Sequence, residues 1–594
     1  MRKFDTDVAP GKINPGSIKK ILPFFSGYKK TIILAVITIS FATFLGAILP
    51  LIFRELIDNA IPSRSMDAIL KVGVLYFGVL FFSVGIQFVQ QLIVGYMGIE
   101  IVGKVKLKLL KHMFNLSISF FDKHGTGKLI SRIESDAQQL YMLFSAVGLN
   151  LVWASLNLII SLCIMTWVNY KLTLFVIVIA PIYFVISYVA FKKMRPMFRR
   201  EREIYASITG FLAEHIKGIS TIRSMGNIAW SKKKFDDMNE EKWKYSVKIH
   251  FFQTMIWSIL LITPNMVIAV ILYKSVGWIA AELITIGTVW MFIQYIMSSI
   301  HPLIIISEQV SEIQKSLGAS DRIFEILETK SLVNDPKQPV ILHTFQKKIE
   351  FKNVSFHYVE GEPVLDNISF EIEKGSTVAI VGPTGSGKST IISLLCRFYD
   401  PLSGSILIDG VDIRDISRQN LRSFLGLVLQ DIYLFPDNIL ENLRVFRKDI
   451  PTLQVEQAAR HVDAWKFISR LPDGIKTSLA EEGGNFSYGE RQLLSFARAL
   501  TFSPEILIMD EATSSVDPQT EALIQKSLKK LTSGRTSIVV AHRLSTIVDA
   551  DNILVLSDGK IVERGDHNEL MSHEGIYHSY FLKQNRSNLF GGEE

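Results

Sequence analysis

At 594 residues the chain is long for a single domain and implies at least two large units. The net charge of +7 and the mean hydropathy of +0.27, high for a soluble protein, occur together with a marked unevenness: apolar residues concentrate between Thr31 and Ile306 and are ordinary after Gln346. Cys163 and Cys396 are far apart in unlike surroundings, which excludes a disulfide framework or a cysteine metal site and leaves both as buried small hydrophobes.

The first ten residues, Met1–Pro10, hold no apolar core and no cleavage pattern, so no removable signal peptide is expected. Ser17–Lys30 mixes Ile18, Ile21, Leu22, Phe24 and Phe25 with Lys19, Lys20, Lys29 and Lys30, the composition of an interfacial helix. Six apolar stretches follow, each near or above the roughly 20 residues that a hydrocarbon core of about 30 Å demands of a helix. They are Ile32–Phe53, Ile69–Met97, Ser145–Val168, Thr173–Phe191, Phe251–Ala280 and Ile284–Ile306.

Short connections follow the first, third and fifth stretches, and long ones, Gly98–Phe144 and Lys192–His250, follow the second and fourth. Lys104, Lys106, Lys108 and Lys111 crowd one long connection; Lys192, Lys193, Arg195, Arg199, Arg200 and Arg202 crowd the other. By the positive-inside rule these connections and both termini are expected in the cytoplasm, with the chain in the inner (plasma) membrane. The basic excess is then a topology signal, and a nucleic-acid partner is not expected. Each long connection reads as helix broken near its middle, one at His124-Gly-Thr-Gly127, the other near Gly210 and Gly218. About 20 residues out and back would carry each turn roughly 25–30 Å beyond the membrane, as a lever toward another domain.

Ser307–Lys330 continues the last stretch as helix until Asp335-Pro-Lys-Gln-Pro339 breaks it. This divides the chain into a six-span membrane domain over 1–330, a linker over 331–345 and a second domain over 346–594. Short apolar strands alternate with helices in that second domain, the pattern of an α/β fold.

Thr377-Val-Ala-Ile-Val381 is such a strand, and it runs directly into Gly382-Pro-Thr-Gly-Ser-Gly-Lys388-Ser389. Strand, glycine-rich turn and the helix expected over Ser389–Phe398 match a phosphate-binding loop. Gly382, Thr384, Gly385, Ser386 and Gly387 offer backbone N–H groups to phosphate oxygens, and the start of the helix at Thr390 adds its field. Lys388 supplies a point charge for the outer phosphates and Ser389 a hydroxyl for magnesium. Ile506-Leu-Ile-Met-Asp510-Glu511 is a buried strand ending in two carboxylates: Asp510 fits magnesium, and Glu511 fits the group that orients or deprotonates an attacking water. Thr536-Ser-Ile-Val-Val540 leads to His542, whose imidazole either reaches the γ-phosphate or is structural.

Taken in this order, Lys348–Leu570 resembles the nucleotide-binding domain of ATP-binding-cassette (ABC) transporters, and with the six spans the likeness covers nearly the whole chain. The expected fold is a polytopic α-helical membrane domain of the ABC exporter type fused to an α/β P-loop domain. The resemblance implies ATP and Mg²⁺ as cofactors. It assigns adenine stacking to Tyr358, magnesium sensing to Gln430 after Leu425-Gly-Leu-Val-Leu429, an interface-crossing loop to Ser514-Ser-Val-Asp517 and a switch role to His542. It also makes the lever tips, near Phe121–Ile133 and Gly210–Thr221, coupling helices.

One element departs from the family. Its signature is usually Leu-Ser-Gly-Gly-Gln and here reads Phe486-Ser487-Tyr488-Gly489-Glu490. In the family this segment binds the γ-phosphate held by the opposite subunit; Ser487 and Gly489 remain, while Tyr488 replaces a glycine and Glu490 brings a negative charge. Such a charge about 7 Å from a phosphate costs on the order of 2 kcal/mol at an effective dielectric near 20. With Glu511 and His542 intact, the chain resembles one subunit of a bacterial heterodimeric multidrug exporter; a homodimer tolerating the altered signature is the other arrangement.

The expected activity is ATP-driven export of a hydrophobic or amphipathic compound across a lipid bilayer, working with a second half-transporter. The alternative is a regulatory membrane subunit that switches on ATP without transporting. Polar residues within the spans, among them Asn157, Asn265, Gln294 and His301, with Trp153, Trp257 and Trp290 nearby, serve either cargo or helix–helix hydrogen bonds.

Overall fold

The computed structural model describes residues 20, 23–510, 518–540 and 547–590. The chain divides into two compact units: Met1–Phe114 with Thr126–Thr329, and Asn115–Gly125 with Lys330–Glu594.

The first unit is helical. Apolar runs without a strong polar face give long helices: Lys29–Glu55, Met66–Asn115, Gly148–Val168, Tyr170–Lys217, Ile228–Ala280 and Ile286–Glu328. Among the described residues five helical stretches are long and apolar enough to cross a membrane: Pro23–Ala60, Met66–Asn115, Thr126–Val168, Ile228–Ala280 and Ile286–Ile306. The fourth expected stretch, Thr173–Phe191, falls within the continuous helix Tyr170–Lys217. Phe81 is 83% exposed and Phe77 and Trp167 nearly as much, the exposure of side chains whose solvent is lipid. Cys163 is exposed on the same kind of surface, which corrects the expectation of a buried thiol: a small hydrophobe sits as well against lipid as in a core. Of the interfacial helix expected over Ser17–Lys30, residues 20 and 23–30 are described, and from Pro23 onward the chain is helical.

Prolines lie inside four of these helices, Pro50, Pro181 with Pro196, Pro264 and Pro302. The helix Ile286–Glu328 starts on a shared cap. Asp58, from the turn after the first helix, accepts the Gly287 N–H at 2.8 Å through Oδ1 and the Thr285 hydroxyl at 2.5 Å through Oδ2, and Arg54 donates to the same Oδ2 at 3.3 Å. A Cβ at Gly287 would lie 2.7 Å from the Asp58 Cγ, so the cap needs glycine there. Deeper in the unit Asp136 is buried between Arg132 and Arg322, paired with both.

The long connections differ from expectation in where they break. The first breaks at Leu116–Ser117 and again at His124–Gly125, isolating the short helix Ile118–Lys123. The second runs as helix straight through Gly210 and breaks at Gly218, before the short helix Ile219–Ser224. An isolated glycine inside a good helical sequence costs only about 1 kcal/mol and does not by itself end the helix.

The second unit holds two sheets. The first has the order β2-β1-β4-β5, all antiparallel, from Lys348–Phe356 (β1), Leu365–Glu373 (β2), Ser403–Ile408 (β4) and Val411–Asp412 (β5). The second has the order β10-β9-β3-β8-β7-β6, from Thr377–Val381 (β3), Leu425–Val428 (β6), Ile506–Asp510 (β7), Thr536–Val540 (β8), Asn552–Ser557 (β9) and Lys560–Gly565 (β10). Its central strands are parallel and read as unbroken apolar runs because both faces are covered. Between the sheets lies one core containing Phe351, Phe370, Ile380, Ile508 and Val540; on the far face Leu434, Leu493, Phe496 and Leu507 form the other. The segment Asn115–Gly125 is counted with this unit, and there Tyr399 donates its hydroxyl to Asp122.

Candidate nucleotide site

Parallel register sets the site. Ile380 of β3, Val540 of β8 and Asp510 of β7 stand level with one another, so the loop after Val381 and the end of β7 share one edge of the sheet. Val428 of β6 pairs with Met509, which puts Gln430, exposed, just past the level of Asp510 on the neighbouring strand. In a parallel α/β sheet this carboxyl edge is where ligands sit.

The loop adopts a fold that only glycine permits at its ends. Gly382 has φ +152°, and a Cβ there would run into the Leu556 carbonyl oxygen. Gly387 has φ +104°, and its Cβ would lie 2.7 Å from Leu365 and 2.8 Å from the Val364 carbonyl. The helix then begins at Lys388 and ends at Leu395, shorter than the expected Ser389–Phe398. Lys388 is buried, with Nζ donating to the carbonyls of Gly382 and Pro383 at 2.9 Å each. Burial pushes its ammonium below the usual lysine value, and the Asp510 carboxylate pulls the other way. The loop is thus held by its own lysine, ready to exchange carbonyls for phosphate oxygens. Tyr580, which sequence reasoning did not single out, also donates to the Gly382 carbonyl, at 3.3 Å.

Among the described residues two buried polar atoms have no partner here, the Ser386 hydroxyl and Asp510 Oδ1. A buried carboxylate oxygen without a partner among the described residues fits a hard cation, and the exposed Ser389 stands in the first turn of the helix that follows the loop. Among the described residues no three His, Cys, Asp or Glu gather as a metal cage. Magnesium needs none, since it takes one or two protein ligands with phosphates and water. Thr390 is buried and its Oγ1 accepts from the Tyr358 hydroxyl at 3.2 Å. The Tyr358 ring, 46% exposed, stands edge-on to Phe356 and Tyr399, so its outer face is open for stacking. Glu511, His542 and Ser514–Asp517 lie outside the described residues.

The signature segment is folded differently from what its charges suggest. Ser487 caps the helix Tyr488–Thr501, and Glu490 reaches back to complete a capping box. Glu490 Oε2 accepts the Ser487 N–H at 2.8 Å and the Ser487 hydroxyl at 2.9 Å, while the Glu490 N–H donates to Ser487 Oγ at 3.3 Å. The carboxylate therefore does not project outward as a free charge; it occupies the helix end. Gly489 is buried on the first turn. The spacing Ser-x-x-Glu is itself the signature of a capping box. Farther along the helix, Arg498 donates to the Asn442 carbonyl at 3.0 Å and the Tyr433 carbonyl at 2.8 Å, tying the helix to the segment that follows Gln430.

A phosphate-binding loop at the carboxyl edge of a parallel sheet, carried on one polypeptide with a bundle of membrane-length apolar helices, defines a nucleotide-driven membrane protein. The chain belongs to the ABC transporter family: residues 32–303 match the ABC transporter transmembrane region and residues 365–514 the ABC transporter cassette. It is 36% identical to the fatty acid ABC transporter ATP-binding/permease protein of Mycobacterium bovis, over 78% of this chain and 73% of the relative. It is 33% identical to an ABC transporter ATP-binding protein of Bacillus subtilis, over 94% of this chain and 93% of the relative. A second Bacillus subtilis protein, named a probable multidrug resistance ABC transporter ATP-binding/permease protein, is 36% identical over 86% of this chain and 76% of its own length. The chain is a multi-pass membrane protein with an ATP-hydrolysing cassette.

Proposed function

We propose that this chain is the catalytically equipped half of an ATP-driven exporter for hydrophobic or amphipathic compounds, paired with a second, different half-transporter. The reading rests on the loop Gly382–Ser389 meeting the orphaned Asp510 carboxylate at one sheet edge. Gly382, Thr384, Gly385, Ser386 and Gly387 cradle the phosphates of ATP through their backbone, Lys388 neutralises them, and Thr390 with Tyr358 supports the nucleotide beside the loop. Ser389, Asp510 and Gln430 hold Mg²⁺, which supplies charge neutralisation on the phosphates. Glu511 orients the attacking water and His542 the γ-phosphate. The membrane is the inner (plasma) membrane, with the cassette, over 346–594, and both termini cytoplasmic.

Unequal halves are favoured by the Glu490 carboxylate, which already fills the anion position that Ser487 and Gly489 would offer a partner's ATP. The names of the relatives, multidrug resistance and fatty acid transport, support an apolar or amphipathic cargo. ATP-dependent uptake of a fluorescent hydrophobic dye into inverted membrane vesicles, lost with Lys388→Ala, is the expected outcome; ATP turnover without uptake of any apolar probe supports a switch in place of a transporter.

A further inference from the structure

We propose that Tyr580 is a positioning residue for ATP binding: its hydroxyl keeps hold of the Gly382 carbonyl and so frees Lys388 for the phosphates. The inference rests on the loop Gly382–Ser389 holding the phosphates of ATP, and it adds to that site a residue from the helix Ile576–Phe590.

Lys388 Nζ donates to two carbonyls, those of Gly382 and Pro383, at 2.9 Å each. An ammonium group has three donors, so gripping the outer phosphates with two of them means giving up at least one carbonyl. Each of these carbonyls has a second donor. Pro383 accepts the Ser386 N–H at 3.2 Å, a bond that the loop makes with itself. Gly382 accepts the Tyr580 hydroxyl at 3.3 Å, and among the described residues that hydroxyl and Lys388 are its donors. Exposure separates the two positions: Pro383 is exposed, where water replaces a lost donor, whereas Gly382 is buried. A buried carbonyl that loses its last donor keeps its full desolvation penalty, so without Tyr580 the lysine leaves Gly382 only against that penalty. At 3.3 Å the tyrosine bond is longer than an ordinary hydroxyl bond of about 2.7–2.8 Å, which gives it room to tighten as the lysine departs.

The fold fixes Tyr580 from either side. Glu563 on β10 accepts the N–H groups of Ile576 and Tyr577 at 2.6 and 2.9 Å, setting the start of the helix. The buried Tyr577 shares a hydrogen bond of 2.7 Å between its hydroxyl and His567 Nδ1, and its ring meets that of Phe581 against the core. These anchors stand three residues before Tyr580 and one after it, and they hold the helix in the register that brings the hydroxyl to the loop.

The test uses the full-length transporter, assembled with its partner half where one is required, in lipid nanodiscs. Binding to this chain is read by photolabelling on ice with 8-azido-ATP and Mg²⁺, the two halves being separated on a gel, and turnover is read by phosphate release. Tyr580→Phe is expected to raise the half-saturating concentration and the KM for ATP about fivefold, the worth of one neutral hydrogen bond, with kcat within twofold of the parent. The split arises because the lysine holds the phosphates in ground and transition states alike. Tyr577→Phe removes a hydroxyl from the core side of the same helix; it is expected to lower the thermal midpoint and leave half-saturation at the parent value. Half-saturation in Tyr580→Phe equal to the parent's, or a fall in kcat at constant KM, overturns the proposal. An equal rise in Tyr577→Phe overturns it too, since the effect is then one of helix packing. If Tyr580→Phe does not assemble, Tyr580→Leu, equally without a hydroxyl, carries the same expectation and the same refutation. Lys388→Ala separates this inference from the site beneath it: labelling lost there but parent-like in Tyr580→Phe removes Tyr580 alone, whereas parent-like labelling in Lys388→Ala removes the loop's role and that of Tyr580 with it.

Discussion

Glu490 folds its carboxylate onto the Ser487 N–H and hydroxyl, so the altered signature is a stable helix cap before it is a nucleotide contact. Replacing Ser-x-x-Glu by Ser-x-x-Gln keeps a weaker box and removes the anion, so a phosphate competes for the Ser487 donors with a neutral amide oxygen and no longer with a carboxylate. In a pair of unlike halves, Tyr488→Gly with Glu490→Gln is expected to change ATP turnover less than twofold, because hydrolysis uses the partner's signature. In a pair of like halves the same double substitution is expected to change turnover several-fold, each kilocalorie per mole at the transition state being worth roughly fivefold. Phosphate release by the chain alone and with its partner distinguishes the two. The cysteines give a second test of local surroundings: burial pushes the Cys396 thiol up to about 12, while Cys163 is exposed. The thiolate is the reactive form and needs water around it, so at pH 8 a polar maleimide is expected to leave Cys396 in its core and Cys163 against lipid unlabelled in the native protein, and to label both after denaturation. Native labelling of Cys396 would contradict its place in the core.

Two helices show what glycine does in opposite settings. At Gly287 a side chain collides with the Asp58 cap, and at Gly210 nothing stands within 4 Å of an added Cβ. Gly287→Ala is therefore expected to shorten the thermal inactivation half-life in detergent, as is Asp58→Ala, the latter through loss of about 1 kcal/mol of capping and dipole interaction. Gly210→Ala is expected to lengthen it, by about 0.5–1 kcal/mol of helix propensity. Equal effects at the two glycines would refute the assignment. The same contrast explains what the sequence revealed and what it did not. Gly382 and Gly387 were recognised because their spacing to Lys388 and Ser389 has a chemical reason, and β3, β7 and β8 because unbroken apolar runs flank that motif. Gly210 was misread as a break, since a glycine's effect in a helix depends on neighbours that a local window cannot see. The Asp58 cap was invisible, because Asp58 and Gly287 come from different helices and meet only on folding.

For the whole molecule the proposed function turns on Glu511, which follows Asp510 in the chain. Glu511→Gln is expected to bind ATP normally, to lower phosphate release at least a hundredfold and to retain ATP after rapid gel filtration. Turnover near that of the parent would remove Glu511 from the chemistry. Strand order made the cassette readable from sequence, since the parallel strands end at residues to which the proposed function gives a task, Gly382 after β3, Asp510 on β7 and Gln430 after β6. The membrane unit offered only length and apolarity, and its specific contacts, such as Asp136 between Arg132 and Arg322, required coordinates.

The prolines inside the long helices set where these rods give way. Pro264 removes one rung of the hydrogen-bond ladder and crowds the turn before it, so a bend there costs less than anywhere along the unbroken stretch toward Ile228. That stretch holds 36 residues, about 54 Å of helix, and a 5° change at the proline sweeps its end through about 5 Å. A rotation small enough to leave the packing around Ile268 and Ile271 undisturbed is thereby geared up to nearly the height of one helical turn at the other end, as a crank with its bearing inside the membrane.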